Sequence, residues 1–181
     1  MNNLEESNLS NNGTLPGKKL IWQTAIDRSN NIADKIGTPI DAGIKDIVVA
    51  LMVYGFPTSQ SCEGHANNQQ SSLYPWIEIY SPEPDAWQNN EAQKEAWRTE
   101  NLKQQKKMIE LLSEFYQNRK TSFDAQLCIQ YVGAFGGFRI HSTGADILSL
   151  LPPIQQQKNL NLYRQEITDF SKFLKDKFFS R

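Results

Sequence analysis

The sequence predicts an α+β domain in which a small, mostly antiparallel sheet of three or four strands is covered on one face by about four helices. Three observations support this fold class. Blocks with helical hydrophobic periodicity alternate with short strand-like segments, a Gly-rich loop joins two strands of the C-terminal half into a hairpin, and no regular β-α-β repeat occurs. At 181 residues the chain can bury one core. We therefore expect one domain over residues 18–181, after a disordered tail over residues 1–17.

The first two elements are predicted to be helices. A loose helical stripe over about residues 18–36 has its apolar side chains at Trp22, Ile26, Ile32 and Ile36. The next helix is predicted to begin at Thr38 as N-cap, with Pro39 in the first helical position and Asp41 near the positive end of the helix dipole. Helical spacing of apolar residues follows, and Gly55 is a natural residue to end this helix.

Two strands and a long helix are predicted next. Residues 56–61 can form only the start of a strand or an edge strand, because Pro57 lacks an amide donor. After a polar loop over residues 66–74, residues 76–80 alternate with period two and predict a strand. The long helix is predicted over about residues 85–118. Its very polar first half is expected to project into solvent or towards a partner, and its buried side chains are expected to be Trp97, Met108, Leu111, Leu112 and Phe115.

The C-terminal third is predicted to be a hairpin and a helix. Residues 127–132 and 138–142 read as strands joined by the Gly-rich loop at residues 133–137. The last helix is predicted over about residues 155–179. It has the clearest amphipathic stripe of the chain, formed by Leu160, Tyr163, Ile167, Phe170, Leu174 and Phe178.

Composition and charge argue against several classes of function. The net charge of −1 and the sequence pI of about 6.1 argue against nucleic-acid binding, which normally requires a basic face. No apolar run approaches the roughly 20 residues needed to cross a bilayer, so no membrane partner is expected. The two cysteines and the absence of a secretory hydrophobic segment predict a cytoplasmic protein with free thiols.

The segment Ser61-Cys62-Glu63-Gly64-His65 carries the clearest chemical pattern. A thiolate and an imidazole three residues apart can converge on one point when the backbone turns between them, and Gly64 permits such a turn. Two chemistries use this pair. Cys62 and His65 can bind a metal ion such as zinc with further ligands, or Cys62 can be a nucleophile assisted by His65 and oriented by Glu63 as the acid.

Strand alternation suggests further site residues. If Phe138 and the isoleucines of both strands face the helices, then Glu78, Arg139 and His141 share the opposite face. His141 is then the predicted third metal ligand, and Glu78 is an alternative to Glu63 as the acid. Arg139 would receive negative charge from a small polar or anionic molecule. The predicted substrate-binding residues are Arg139, Glu78 and Ser61.

A structural interpretation stands beside these hypotheses. The Cys62–His65 segment can be a tight turn that fixes a strand to the preceding helix in a non-catalytic binding or interaction module, with the long polar helix as the partner surface. Cys128, in an apolar strand, is expected to be a packing residue. The sequence therefore leaves open whether the chain is an enzyme, with a metal-dependent or thiol-dependent hydrolase or transferase as the leading hypothesis.

Residues Gly55 to His65 resemble a segment of uncharacterised bacterial proteins. The shared pattern is Gly-Phe-x-Thr-x-x-Ser-Cys-x-Gly-His, and here it matches the eleven residues GFPTSQSCEGH. In those proteins, too, the segment follows a helix. The resemblance implies no particular activity.

Overall fold

The computed structural model describes residues 14–33, 37–66 and 72–180. Within these ranges four α-helices and four strands follow one another in the predicted order, which confirms the α+β class. The elements are α1 (Leu15–Asn30), α2 (Lys45–Val53), β1 (Thr58–Cys62), β2 (Trp76–Ile79), α3 (Glu91–Tyr116), β3 (Leu127–Val132), β4 (Gly137–Ser142) and α4 (Pro153–Ser180). No helix in this part of the chain is long and apolar enough to span a membrane.

The four strands form one antiparallel sheet in the order β1-β2-β4-β3. The hairpin of β3 and β4 therefore supplies one half of the sheet, and β1 and β3 are its edges. Ile77 pairs with Ile140, and Glu78 pairs with Arg139. A register irregularity lies between Thr58 and Gln60 in β1.

One face of the sheet packs against the helices, as the alternation predicts. Ile77, Ile79, Phe138 and Ile140 are each at most 1% exposed. They share a hydrophobic core with residues of all four helices, including Trp22, Leu51, Met108, Phe115, Ile167 and Phe170. Burial of this apolar area is the main driving force for the fold. It also fixes which side chains of β2 and β4 face away from the helices.

The N-terminal boundary differs from the prediction. Thr14 is the N-cap of α1, and its hydroxyl accepts the amide N–H of Gly17 at 3.3 Å, with Pro16 in the first turn. Helix α1 thus includes residues 15–17, which were predicted to belong to the disordered tail. The rest of that predicted tail, residues 1–13, lies outside the described residues. Helix α1 ends at Asn30, before the predicted end at residue 36.

The prediction that the second helix begins at Thr38 is wrong. Helix α2 begins at Lys45, after a 3₁₀ turn at Ala42–Ile44. Pro39 instead forms an isolated antiparallel bridge with Ala33. Asp41 is the N-cap of this 3₁₀ turn, and its carbonyl oxygen accepts the amide N–H of Ile44 at 3.2 Å. Its carboxylate does not cap the turn and instead accepts a hydrogen bond from a distant part of the chain.

The polar first half of α3 is mostly exposed, as expected, but two polar residues near the middle of the helix are buried. Asn101 accepts the amide N–H of Ser81 and donates to the carbonyl oxygen of Phe135, each at 2.8 Å. Gln105 donates to the carbonyl oxygen of Gly136 at 2.8 Å. These amide side chains satisfy loop and hairpin backbone groups, so their polarity reflects internal hydrogen bonding.

Candidate functional site

Asp41, Cys62 and His65 form a compact group of three different ligand types. One ligand atom from each side chain lies within 4.8 Å of the other two. His65 Nε2 is 3.5 Å from Asp41 Oδ2. Cys62 ends β1, His65 follows three residues later, and Asp41 comes from the segment before α2. All three side chains are partly exposed.

The turn between Cys62 and His65 depends on Gly64. Gly64 has a φ of +78°, and a Cβ atom there would lie 2.6 Å from the carbonyl carbon of Tyr74. Its amide nitrogen is 3.4 Å from Cys62 Sγ. The amide N–H of His65 donates to the carbonyl oxygen of Ser72 at 2.7 Å. The backbone can therefore turn closely enough to bring the thiol and the imidazole together, which is the role that the sequence predicts for this glycine.

Arg164 of α4 stabilises this turn by hydrogen bonds to its backbone. Its guanidinium donates to the carbonyl oxygens of Glu63 at 3.0 Å and Gly64 at 2.5 Å. The carboxylate of Glu63 accepts the amide N–H of Gly43 at 2.7 Å and lies 3.7 Å from Arg164. Glu63 is therefore engaged in holding the turn against the segment before α2. Its predicted role as an acid stays a prediction.

A cleft of about 400 Å³ adjoins the three side chains. It lies between β1 and the segment that leads into α2. The described residues of its lining include the three candidate ligands and no lysine, arginine or glutamate. The residues that line it are Ile32, Ala33, Thr38, Pro39, Ile40, Asp41, Val48, Thr58, Ser59, Gln60, Ser61, Cys62 and His65.

The electrostatic environment keeps Cys62 in its thiol form near neutral pH. Burial raises the pKa of Cys62, and the nearby carboxylates of Asp41 and Glu63 raise it further. Hydrogen bonds from the backbone at Gly64 and Ser72 oppose this shift only in part. A nucleophilic cysteine needs the reverse, a lowered pKa. A bound cation would offset the negative charge and stabilise the thiolate.

His141 lies apart from this group. Cys62 pairs with Trp76, and Trp76 pairs with His141, so two strand spacings, about 9–10 Å, separate the backbones of Cys62 and His141. His141 is 2% exposed, and its Nδ1 is 2.9 Å from the carbonyl oxygen of Ser142. Its ring nitrogens are 4.0 Å from Cys128 Sγ. The structure therefore brings Asp41, and not His141, to Cys62 and His65.

Of the three predicted substrate-binding residues, only Ser61 lies at the cleft. Arg139 and Glu78 form an ion pair of 2.9 Å on the sheet face opposite the helices, and the guanidinium lies 4.1 Å from the ring centroid of Trp76. Neither side chain lines the cleft. Ser61 does line it. Arg139 is thus committed to Glu78 and Trp76, away from the Asp41–Cys62–His65 group.

Comparisons with protein-family models, with curated proteins and with solved structures find no match to this chain. A functional proposal for it therefore depends on the geometry of the site itself.

Proposed function

We propose that the protein binds a zinc ion through Asp41, Cys62 and His65 and uses it in hydrolysis or group transfer on a small polar molecule that enters the cleft. One observation carries this proposal. A carboxylate, a thiol and an imidazole lie within 4.8 Å of one another at the wall of a cleft of about 400 Å³.

The spacing of these atoms is close to that of a zinc site. Ligand atoms around a tetrahedral zinc ion lie about 3.3–3.7 Å apart, given metal–ligand bonds of about 2.0–2.3 Å. The distance from His65 to Asp41 is already 3.5 Å. The largest separation in the group, at most 4.8 Å, requires a side-chain movement of about 1 Å. Rotation of the partly exposed Cys62 and His65 side chains can supply this movement.

Three protein ligands suit a catalytic metal better than a structural one. Structural zinc sites are closed by four protein ligands, whereas catalytic sites keep the fourth position for water or substrate. A metal held by Asp41, Cys62 and His65 would have a position left for water or substrate, and it would lower the pKa of a bound water. Arg164 and the backbone around Gly64 would keep Cys62 and His65 in place, as groups behind metal ligands commonly do.

The lining of the cleft favours a neutral polar molecule over an anion. Among the described residues that line the cleft there is no lysine or arginine, and Arg139 is paired with Glu78 elsewhere. Asp41 adds a carboxylate to this lining, which disfavours an anion beside it. A thiol-dependent reaction has less support, because burial raises the pKa of Cys62.

Metal analysis of the purified protein tests the proposal. The wild-type protein, dialysed against zinc under reducing conditions, should retain one zinc ion per chain. Cys62→Ser should lose most of it, whereas Cys128→Ser should keep it, because Cys128 lies on β3 at the far edge of the sheet. Equal zinc contents in the two variants, or no stoichiometric zinc in the wild type, would overturn the proposal.

A second candidate is a non-catalytic binding module in which residues 62–65 are a structural turn. The double hydrogen bond from Arg164 to this turn favours it. On this view Cys62→Ala and His65→Ala lower the melting temperature by several degrees, roughly 1 kcal/mol or more, whether or not zinc is present. In the metal-binding case the zinc-free variants stay near wild-type stability and lose only the stabilisation that zinc provides.

We also propose a cytoplasmic location, where thiols stay reduced. Cys62 and Cys128 are both free. The net charge of −1 supports a protein without a nucleic-acid partner.

A further inference from the structure

The cleft follows the free edge of the sheet. All five residues of β1 line it, and within the part of the chain that the structure describes β1 pairs with β2 alone. In an antiparallel edge strand, every second residue points its N–H and C=O groups away from the sheet. One wall of the cleft therefore offers main-chain hydrogen-bonding groups as well as side chains.

A hydrogen bond to Asp41 indicates which residues point towards the cleft. The amide N–H of Glu63, directly after β1, donates to Asp41 Oδ2 at 3.1 Å. Asp41 lines the cleft, so this N–H points to the cleft side of the strand. Because the direction repeats every second residue, the N–H and C=O groups of Ser61 point the same way. The carboxylate of Asp41 thus accepts from Glu63 the hydrogen bond that an additional strand would otherwise accept.

Most of the described residues that line the cleft outside β1 are apolar. They are Ile32, Ala33, Pro39, Ile40 and Val48, beside the polar Thr38. A volume of about 400 Å³ is at the lower end of ligand-pocket sizes and suits roughly three residues of extended chain. Main-chain groups on one side and apolar side chains on the other are what a neutral, extended peptide requires.

We propose that the cleft binds an extended peptide segment, which pairs with the free edge of β1 and places one of its amide groups beside Asp41, Cys62 and His65. This inference rests on the proposed function, since it names the substrate class of the same site. Main-chain hydrogen bonds to β1 supply affinity, as in other cases of strand addition, and the apolar wall selects side chains. The amide N–H of Glu63 already donates to Asp41, so the peptide cannot pair with β1 beyond Ser61. The end of the paired segment therefore lies beside the metal ligands.

A defined peptide tests the pairing. The probe is dye-labelled Val-Thr-Val-Thr-Val with blocked ends, measured by fluorescence anisotropy against the full-length protein with and without zinc. Its control is the same peptide N-methylated at alternate residues, in both registers, which removes the donors needed for a ladder. Ser61→Pro removes the cleft-facing N–H of β1, and Pro is tolerated on an edge strand where that N–H faces outwards. Ser61→Ala keeps the N–H and is the matched control.

The expected result is saturable binding of the unmodified peptide by the wild type. Ser61→Pro should bind it at least ~10-fold more weakly than Ser61→Ala, which corresponds to one lost hydrogen bond. N-methylation in at least one of the two registers should weaken binding to the wild-type protein by a similar factor. This comparison does not use Ser61→Pro, so it stays valid even if that variant does not fold. Absent binding up to about 1 mM peptide, or equal binding of both N-methylated forms, would overturn the inference.

The two proposals fail in different ways. If zinc binds stoichiometrically but no peptide binds, the strand-addition inference is wrong and the metal site stands. If the peptide binds with the expected dependence on Ser61 while zinc does not bind, the zinc proposal is wrong and the cleft is a peptide-binding groove of a non-catalytic module.

Discussion

Oδ2 of Asp41 lies 3.5 Å from Nε2 of His65. The same oxygen accepts the amide N–H of Glu63 at 3.1 Å. One carboxylate therefore connects the segment before α2 to both the backbone and the imidazole of the turn that follows β1. Since Cys62 precedes this turn directly, Asp41 is also the third candidate ligand beside Cys62 and His65.

Asp41→Asn should weaken zinc binding by at least ~100-fold, because the amide replaces an anionic oxygen ligand by a neutral one. The measurement is zinc affinity by competition with a chromophoric chelator near pH 7.5. The matched control is Asp46→Asn, which removes the same charge from an exposed position in the first turn of α2. If both variants bind zinc equally well, Asp41 is not a ligand.

Zinc should protect Cys62 from alkylation and leave Cys128 unaffected. In the zinc-free protein, burial raises the pKa of both thiols, so labelling by iodoacetamide should be slow near pH 7 and should rise steadily with pH as the thiolate fraction grows. Zinc should slow the labelling of Cys62 at every pH, since a coordinated thiolate is shielded. Peptide mapping by mass spectrometry distinguishes the two sites. Fast labelling of Cys62 alone at pH 7 would instead favour the thiol-dependent hypothesis.

The order and type of the main elements could be predicted from the sequence, because periodicity and chain length carry that information locally. Pro57 predicts either the start of a strand or an edge strand, and β1 begins directly after it at the edge of the sheet. Asp41 could not be found in this way. Thr38-Pro39-Ile40-Asp41 has the residue types of a helix N-terminus, and only the tertiary contact with Glu63 shows that the chain stays extended until Ala42.

The placement of His141 shows a different limit of sequence reasoning. Alternation correctly places it on the same sheet face as Glu78 and Arg139. It does not give the order of the strands, and β2 lies between β1 and β4. Residues on one face of a sheet therefore need not be in contact. The distance between Cys62 and His141 follows from the order of the strands.

Gly64→Ala should destabilise the protein more than Gly55→Ala. Both glycines have positive φ, +78° at Gly64 and +74° at Gly55, so each substitution incurs the cost of a left-handed residue, about 1–2 kcal/mol. Only at Gly64 would the new Cβ also lie 2.6–2.8 Å from Tyr74, Pro75 and Leu160, whereas nothing lies within 4 Å at Gly55. Chemical unfolding should show a difference of at least about 1 kcal/mol. Equal losses in the free energy of unfolding for the two variants would mean that the backbone around Gly64 shifts at little cost to accept a Cβ atom.

Tyr116→Phe should change how stability depends on pH. The hydroxyl of Tyr116 donates to the buried carboxylate of Glu166 at 2.9 Å and accepts the amide N–H of Leu127 at 2.7 Å. Burial, together with the hydrogen bond and negative charge of Glu166, raises the pKa of Tyr116 well above its ordinary value of about 10. Arg119 also pairs with Glu166, at 2.8 Å, so the carboxylate keeps one partner in the variant.

The sign of the effect follows from proton uptake. Above about pH 10 the unfolded chain releases the phenolic proton while the folded protein retains it, so the free energy of unfolding should fall as pH rises, by up to about 1.4 kcal/mol per pH unit. Tyr116→Phe should cost about 1–3 kcal/mol near neutral pH through its lost hydrogen bonds and should show a shallower decline above pH 10. Tyr131→Phe, at a residue 71% exposed, is the control and should retain the wild-type slope. Urea unfolding between about pH 7 and 11 measures both quantities. Identical slopes for wild type and Tyr116→Phe would show that Tyr116 does not hold its proton in the folded state.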